Sequence, residues 1–249
     1  MRIPGAVRFF TAARAGHAVT IAVGHHTRLP RTYRGRDILW WLDQLGVFNE
    51  TADDVYDVEV SRDQPSLQLV GHPSRITLDL AKLRERDAVV AGRLLGFKDG
   101  VALFADDLVA TTAAADVKLA SLLQRIDAYI AERSIEAPPA PRFVPHCFTF
   151  SRAPQTLDMT AARVRTVLWA TGFRREYPWL HVPVLDRHGE IRHTGGVTSV
   201  KGLVVIGLHF LRRRNSSFID GVGADAEVLS DYIAAVVRPG GRRWHAGAA

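Results

Sequence analysis

The chain has 249 residues, of which 47% are hydrophobic and 23% are charged. This balance is that of a globular protein and excludes a disordered or fibrous one. No stretch approaches the roughly 20 uninterrupted apolar residues that a membrane-spanning helix needs, and the N-terminus lacks the features of a signal peptide. Cys147 is the only cysteine, which excludes an intrachain disulfide and a cysteine-based zinc site. We therefore expect a cytoplasmic protein with no membrane partner.

The net charge is +6 and the sequence pI is near 9.9. Much of this charge is arginine scattered between apolar residues, and the densest basic run is residues 212–214. A strand in which basic and aromatic residues alternate would predict an RNA-binding surface, and the sequence has no such strand. We expect no nucleic-acid partner and attribute part of the excess to anionic dinucleotides.

The N-terminal pattern predicts a helix over residues 5–14, a left-handed cap at Gly16 and a buried strand over residues 19–23. Helix, glycine turn and strand in this order form the second half of a βαβ unit. The first strand is expected before Gly5, where only four residues stand. The sequence therefore predicts an α/β fold with a Rossmann-like NAD(P)-binding unit that lacks its first strand.

Helical and strand-like patterns alternate through the rest of the chain. Asp99 and Gly100 predict a hairpin turn, and residues 137–141 form a proline-rich linker. The predicted helices cover residues 37–45, 78–86, 112–133 (with Leu119, Leu122, Ile126 and Ile130 on one face) and 218–237. The predicted strands cover residues 89–97, 101–105, 164–170 (buried) and 203–207 (the last core strand).

A basic loop after the first predicted strand favours NADP. In a Rossmann unit an acidic residue at this place would hold the ribose of NAD, whereas an arginine accepts the 2′-phosphate of NADP. Thr27 and Arg28 stand there, and Gly5 is where the last glycine of the dinucleotide fingerprint falls. The alternative is that Gly5 is a tail glycine and Arg28 a solvated loop charge.

Two segments near the C-terminus are candidates for contact with a cofactor. Ala170, Thr171 and Gly172 end a predicted strand, where a glycine lets the backbone approach a cofactor or a hinge. Gly207 ends the next strand, and the segment that follows offers N-cap residues and a helix N-terminus with partial positive charge. Its candidate residues are Asn215, Ser216, Ser217 and Phe218. The alternative is a capped helix without a ligand.

Taken in order, these motifs resemble flavin-dependent monooxygenases of the flavin-containing and Baeyer–Villiger type. The pattern of residues 26–31, 33–37 and 214–221 is similar to bacterial flavoproteins of this group, some of them named as linked to potassium transport. The resemblance implies FAD and NADP as cofactors and a small-molecule substrate. It also implies a partial NADPH-binding domain over residues 1–169 and the C-terminal segment of an FAD-binding domain over residues 170–249.

The chain departs from that pattern at its glycine-rich turns. It lacks the Gly-x-Gly-x-x-Gly motif of the FAD domain, the first glycines of the NADPH motif and the monooxygenase signature. We therefore expect either an N-terminally truncated or mis-started member, or a chain whose missing FAD half is supplied by another polypeptide; the expected partners are a homo-oligomer or a separate chain. Activity of the chain alone is expected to be reduced or absent. The alternative is a non-catalytic remnant that serves as a nucleotide-binding or protein-interaction module. No catalytic acid or base and no metal site is assigned.

Overall fold

The structure is a computed structural model that describes residues 11–13, 15–55, 75–77, 79–146, 152–172 and 175–237. It confirms an α/β protein, and it divides the chain into two compact units. One unit comprises Met1–Trp41 with Pro65–Thr171, and the other comprises Leu42–Gln64 with Gly172–Ala249. The domain boundary between residues 169 and 170 stays a prediction.

The elements in chain order are β1 (Thr20–Ala22), β2 (Thr32–Tyr33), β3 (Arg36–Asp37), α1 (Ile38–Gln44), 3₁₀ turns at Val47–Asn49 and Ala52–Asp54, α2 (Leu80–Arg84), β4 (Val89–Ala91), β5 (Leu94–Lys98), β6 (Val101–Phe104), α3 (Leu108–Glu132), β7 (Thr156–Asp158) and α4 (Val222–Val237).

The core of the first unit forms around a parallel pair of strands. β1 pairs with β4 so that Ile21 lies beside Val90, which confirms the strand predicted over residues 19–23. Gly16, at a φ of +81°, ends the helical turn before β1 as predicted. The side chains buried together here are Ile21, Val23, Leu80, Leu83, Ala88, Val90 and Leu108. A Rossmann topology beyond this pair stays a prediction.

A tight hairpin of β2 and β3 is fixed to helix α3. It turns at Arg34 and Gly35, whose φ values of +47° and +77° are left-handed. A Cβ at Gly35 would lie 3.1 Å from Pro138, so a larger residue there is both strained and crowded. The hydroxyl of Tyr33 donates to Asp127 on α3 at 2.8 Å. Burial and this bond raise the pKa of Tyr33 to about 12, so the hydroxyl stays a proton donor near neutral pH.

The predicted hairpin at Asp99 and Gly100 is confirmed. β5 and β6 pair antiparallel, and β7 adds a third strand beside β6. The single strand predicted over residues 89–97 is wrong, because the run breaks at Gly92 into β4 and β5. A Cβ at Gly92 would overlap the carbonyl oxygen of Ala105, so the glycine permits a close backbone approach.

Helix α3 confirms the predicted apolar face and extends it. The helix begins at Leu108 rather than Thr112 and ends at Glu132. Leu119, Ile126 and Ile130 are buried, whereas Leu122 is half-buried. Asp116 lies on the same buried face, although a carboxylate there needs partners.

Two predicted strands are wrong. Residues 164–170 form no strand, and Val167, Leu168 and Trp169 are 48%, 39% and 63% exposed rather than buried. Residues 203–207 contribute only an isolated bridge between Val204 and Val197. An apolar, β-branched run becomes a strand only where another strand pairs with it. Neither segment has such a partner among the residues that the structure describes.

Helix α4 dominates the second unit. It begins at Val222 rather than at residue 218 and buries Leu229 and Tyr232. At Gly196, φ is +93° and a Cβ would lie 2.7 Å from the carbonyl oxygen of Val205 and 3.0 Å from Leu229. This glycine therefore packs a turn closely against α4. None of the described helices is long and apolar enough to cross a membrane.

Candidate functional site

Arg28, the residue predicted to bind the 2′-phosphate of NADP, lies in a buried polar cluster. Its Nη1 donates to Asp116 Oδ1 at 2.6 Å and to the carbonyl oxygen of Val144 at 2.8 Å. Its Nε lies 3.9 Å from Asp79 Oδ2, and its side chain is only 13% exposed. We call this group the Arg28 cluster, and its members are His26, Arg28, Asp79, Asp116 and His146.

Separate segments of the first unit bring these side chains together. Asp79 is the N-cap of α2 and accepts the backbone N–H of Lys82 at 3.0 Å. Asp116 comes from the buried face of α3 and accepts the backbone N–H of His146 at 2.6 Å. The ring of His146 lies 3.2 Å from Asp79 Oδ2. Burial raises the pKa of Asp79, but its bonds to His146 and Lys82 and the charge of Arg28 outweigh burial and lower it overall.

The cluster as folded does not fit a phosphate. The guanidinium of Arg28 is already matched by carboxylates and a carbonyl, and the ring of Phe143 lies 5.4 Å from it. Thr27 is half-buried and lines the same small cavity, which has room for about one water molecule. A phosphate needs free donors and more space than this. The NADP roles of Thr27 and Arg28 stay predictions, and Gly5 lies outside the described residues.

Protonation of His26 is expected to make stability depend on pH. Burial lowers its pKa below 6.5, and the charges of His146 and Arg28 lower it further, although a bond to the carbonyl of Gly24 and the charge of Asp116 oppose this. The unfolded chain then binds the proton more readily than the folded one. This contribution to stability is complete above about pH 6.5, the pKa in the unfolded chain, and is lost as the pH falls from there through the lower pKa of the folded state.

Urea denaturation at a series of values between about pH 7.5 and about pH 5 measures this effect. We expect His26→Gln to flatten the decline of the wild-type unfolding free energy over that interval. The exposed His25 gives the matched control, since His25→Gln is expected to keep the wild-type profile. An unchanged decline in His26→Gln would contradict the prediction.

The glycine-containing segment predicted to contact a cofactor or form a hinge is exposed and has no regular secondary structure. Ala170, Thr171 and Gly172 are exposed, and Gly172 has a left-handed φ of +90°. Gly207 is exposed as well, at a φ of +78°. Both glycines therefore occupy conformations that other residues rarely adopt. Contact of these four residues with a cofactor stays a prediction.

The serines predicted to contact flavin have partners inside the protein. Ser216 is fully buried, and its Oγ accepts the backbone N–H groups of Arg212 at 3.1 Å and Arg213 at 2.9 Å. It therefore closes a backbone turn. The Oγ of Ser217 lies 3.2 Å from Nδ1 of His209.

The residues on either side of these serines attach the turn to the 3₁₀ segment near residue 48. The rings of Phe218 and Phe48 meet edge to face with centroids 5.6 Å apart. The backbone N–H of Asn215 donates to the carbonyl oxygen of Phe48 at 3.1 Å. The guanidinium of Arg214 binds Glu50 at 2.7 Å. These contacts fix the chain that leads into α4.

The start of α4 is the place in the second unit that best fits a polar ligand. Because the helix begins at Val222, the prediction that Asn215 or a neighbouring serine caps it is wrong. Oδ1 of Asn215 and Oδ2 of Asp225 are buried atoms without a hydrogen-bond partner within the described part of the chain, and Asp225 is 1% exposed. A helix start also has backbone N–H groups without an intrahelical acceptor. The helix start therefore combines two buried acceptors with backbone donors.

Two glycines flank this helix start in opposite environments. A Cβ at Gly221 would overlap the carbonyl oxygen of Asn215, whereas a Cβ at Gly223 would meet nothing within 4 Å. We expect Gly221→Ala to destabilise the protein by about 1–3 kcal/mol, because the backbone must shift. Gly223→Ala is expected to stabilise it by about 0.5–1 kcal/mol through helix propensity. Thermal unfolding of both variants checks this, and equal effects would refute it.

Sequence reasoning missed the acidic members of both sites. Asp116 carried a usable signal, since it is a carboxylate at helical spacing from the apolar residues Leu119, Ile126 and Ile130 of a predicted helix. Asp79 precedes Leu80 at an N-cap position, and Asp225 lies in the first turn of α4. Among the described residues, no group of three or more histidine, cysteine, aspartate or glutamate side chains is placed to hold a metal ion.

Part of the chain is similar to curated proteins named as oxidoreductases. It is 52% identical over 77 residues to "Uncharacterized oxidoreductase CzcO-like" of Geobacillus kaustophilus. The matched segment covers 30% of this chain and 22% of that protein. It is 42% identical over 73 residues to "Uncharacterized oxidoreductase CzcO" of Bacillus velezensis and of Bacillus subtilis, covering 29% of this chain and 21% of each relative. No protein-family model and no solved structure matches the chain significantly. The similarity supports a relationship to oxidoreductases, over about a fifth of the relatives' length.

Proposed function

We propose that the chain is part of a flavin-dependent oxidoreductase of the monooxygenase type, with FAD as the flavin and NADPH as the reductant. The observation that carries the proposal is the start of α4, where Asn215 and Asp225 present buried acceptors without donors. The similarity to proteins named as oxidoreductases supports the class of reaction.

The residues at the helix start have separate roles in this proposal. Oδ1 of Asn215 and Oδ2 of Asp225 accept hydrogen bonds from N–H or O–H groups of the flavin. The first backbone N–H groups of α4 are available as further donors to the flavin. The edge-to-face contact of Phe48 with Phe218 helps to hold the turn that carries Asn215. The chemistry that a bound FAD would supply is hydride transfer from reduced nicotinamide and electron transfer to dioxygen.

Two parts of the proposal rest on sequence resemblance alone. The Arg28 cluster as folded does not fit the 2′-phosphate, so no step is assigned to it. No residue of this chain is assigned to the FAD pyrophosphate; a separate chain that carries the glycine-rich turns would bind that part of the cofactor and raise the affinity above that of this chain alone. The substrate in the proposal is a small organic molecule, and no residue is assigned as its acid or base.

Titration of the purified protein with FAD, followed by flavin fluorescence, tests the site. We expect saturable binding that Asn215→Ala weakens about 3- to 10-fold, since one hydrogen bond to the ligand is lost. Asn49 is an exposed asparagine of the same unit, and Asn49→Ala is expected to bind FAD like the wild type. Equal affinity of both variants, or no saturable binding, would contradict the proposed site.

The second candidate is a non-catalytic remnant that acts as a nucleotide-binding or protein-interaction module. It is favoured by the paired state of Arg28 and by the exposed contact between Phe97 and Trp169, which are 49% and 63% exposed. The same titration separates the candidates. Absence of flavin uptake together with absence of NADPH oxidation favours the remnant.

A further inference from the structure

Strand β5 is an outer strand of its three-stranded sheet. It pairs with β6, and no strand lies on its other side among the described residues. The backbone N–H of Phe104 on β6 donates to Gln155 beside β7, and backbone groups alternate between the two sides of a strand. The backbone of Ala102 therefore also faces β7, so that of Phe97, its partner on β5, points to the free edge. An unpaired edge of this kind can pair with a strand of another chain.

The free edge carries apolar side chains that are exposed to water. Leu95 is 61% exposed and Phe97 is 49% exposed, and the ring of Phe97 meets that of Trp169 edge to face. Leu95 has no partner residue on β6, because the register shifts between Leu94 and Gly96. A Cβ at Gly96 would meet nothing within 4 Å, so the middle of the strand is open to a second backbone. We call the exposed side of β5, together with Trp169, the β5 edge.

The sequence of β5 and its flanking residues is complementary to itself. If two copies pair antiparallel with Gly96 opposite Gly96, Leu95 of each copy faces Phe97 of the other. In the same register Arg93 faces Asp99 at both ends of the strand pair, and both side chains are exposed. A shift of two residues places either Arg93 opposite Phe97 or Asp99 opposite Leu95. Only the register centred on Gly96 matches the opposite charges, which stabilise a strand pair across its ladder.

We propose that two copies of the chain associate through the β5 edge, as an antiparallel pair with two-fold symmetry centred on Gly96. The two three-stranded sheets then form one continuous sheet. The symmetry makes every contact occur twice, so one charge match and one apolar match become two of each. A contact limited to one strand and its flanking side chains is small, which places the dissociation constant in the micromolar range or above. The association involves no cofactor and is independent of the proposed function.

Sedimentation equilibrium over a series of protein concentrations tests the association. The wild type is expected to pass from monomer to dimer as the concentration rises. Leu95→Lys is expected to weaken the dimer at least about 10-fold, because a lysine on an edge strand opposes pairing. Val117 is 69% exposed on α3 of the same unit, so Val117→Lys is the matched control and is expected to dimerise like the wild type. A wild type that stays monomeric, or equal weakening in both folded variants, overturns the proposal.

Disulfide cross-linking tests the register. Leu95→Cys and Phe97→Cys are made separately, each with Cys147→Ser, and are oxidised either alone or as a mixture. The mixture is expected to form covalent dimers faster than either variant alone, since directly opposite residues lie about 5.5 Å apart between their Cα atoms, within reach of a disulfide. A mixture that cross-links no faster than its components overturns the pairing around Gly96. Neither experiment involves FAD, so failure of the proposed function leaves both results unaffected.

Discussion

Replacing Arg28 with methionine is expected to lower the free energy of unfolding by about 3–5 kcal/mol, the usual cost of removing one partner of a buried ion pair. The variant leaves the carboxylate of Asp116, which is 5% exposed, without the guanidinium that neutralises it. It also removes the donor to the carbonyl of Val144. Methionine keeps most of the apolar volume, so lost packing contributes little. Urea denaturation measures the change.

Arg93 gives the matched control for this prediction. Its side chain is 66% exposed, and its Nε lies 3.8 Å from Asp107, so it forms an ion pair at the surface. Arg93→Met is expected to cost below about 1 kcal/mol, because solvent screens such pairs. Similar losses in the two variants would show that Arg28 contributes no more than a surface charge.

Replacing Trp41 with alanine is expected to cost about 3–5 kcal/mol, the range for deleting a large buried aromatic side chain. Trp41 has no exposed surface, and its Nε1 donates to the carbonyl oxygen of Tyr33 at 2.7 Å. It also packs edge to face on Trp40 with centroids 4.7 Å apart. Alanine leaves a cavity and removes this hydrogen bond at the hairpin that binds α3. The midpoint of thermal unfolding checks this.

Trp179 is the matched control, since 68% of it is exposed and its contact with Tyr177 lies at the surface. Trp179→Ala is expected to change stability by no more than about 0.5 kcal/mol. If both tryptophan variants unfold at the wild-type temperature, Trp41 is not part of a packed core.

Local patterns predicted the elements that are held by short-range contacts. The hairpin at Asp99 and Gly100 depends on a turn whose residues accept left-handed φ values, here +49° and +78°. The apolar face of α3 follows from helical spacing alone, and Leu119, Ile126 and Ile130 are buried accordingly. Both features can therefore be predicted from neighbouring residues, without knowing which distant segments contact them.

Two predictions that depended on contacts outside the local pattern were wrong. Residues 164–170 have the composition of a buried strand, but composition cannot show whether a second strand lies beside them. The start of α4 was placed too early because Ser216 resembles a helix cap. Its hydroxyl instead accepts the backbone N–H groups of Arg212 and Arg213. A serine can serve a turn or a helix equally well.

The NADP prediction for the basic loop likewise could not take account of a partner that is distant in the sequence. Arg28 has the residue type and position of a phosphate-binding arginine, which motivated the NADP prediction. Its partner Asp116 lies 88 residues away along the chain, and no local pattern indicates that the two side chains meet. Only the folded structure reveals that the charge is already neutralised.

Anaerobic addition of NADPH to the protein loaded with FAD tests the proposed function most directly. The proposal predicts that the visible absorption of the flavin bleaches as hydride is transferred, and that admission of air restores it. An excess of NADPH that leaves the spectrum of the bound flavin unchanged, or a protein that takes up no flavin, would contradict a flavin-dependent oxidoreductase.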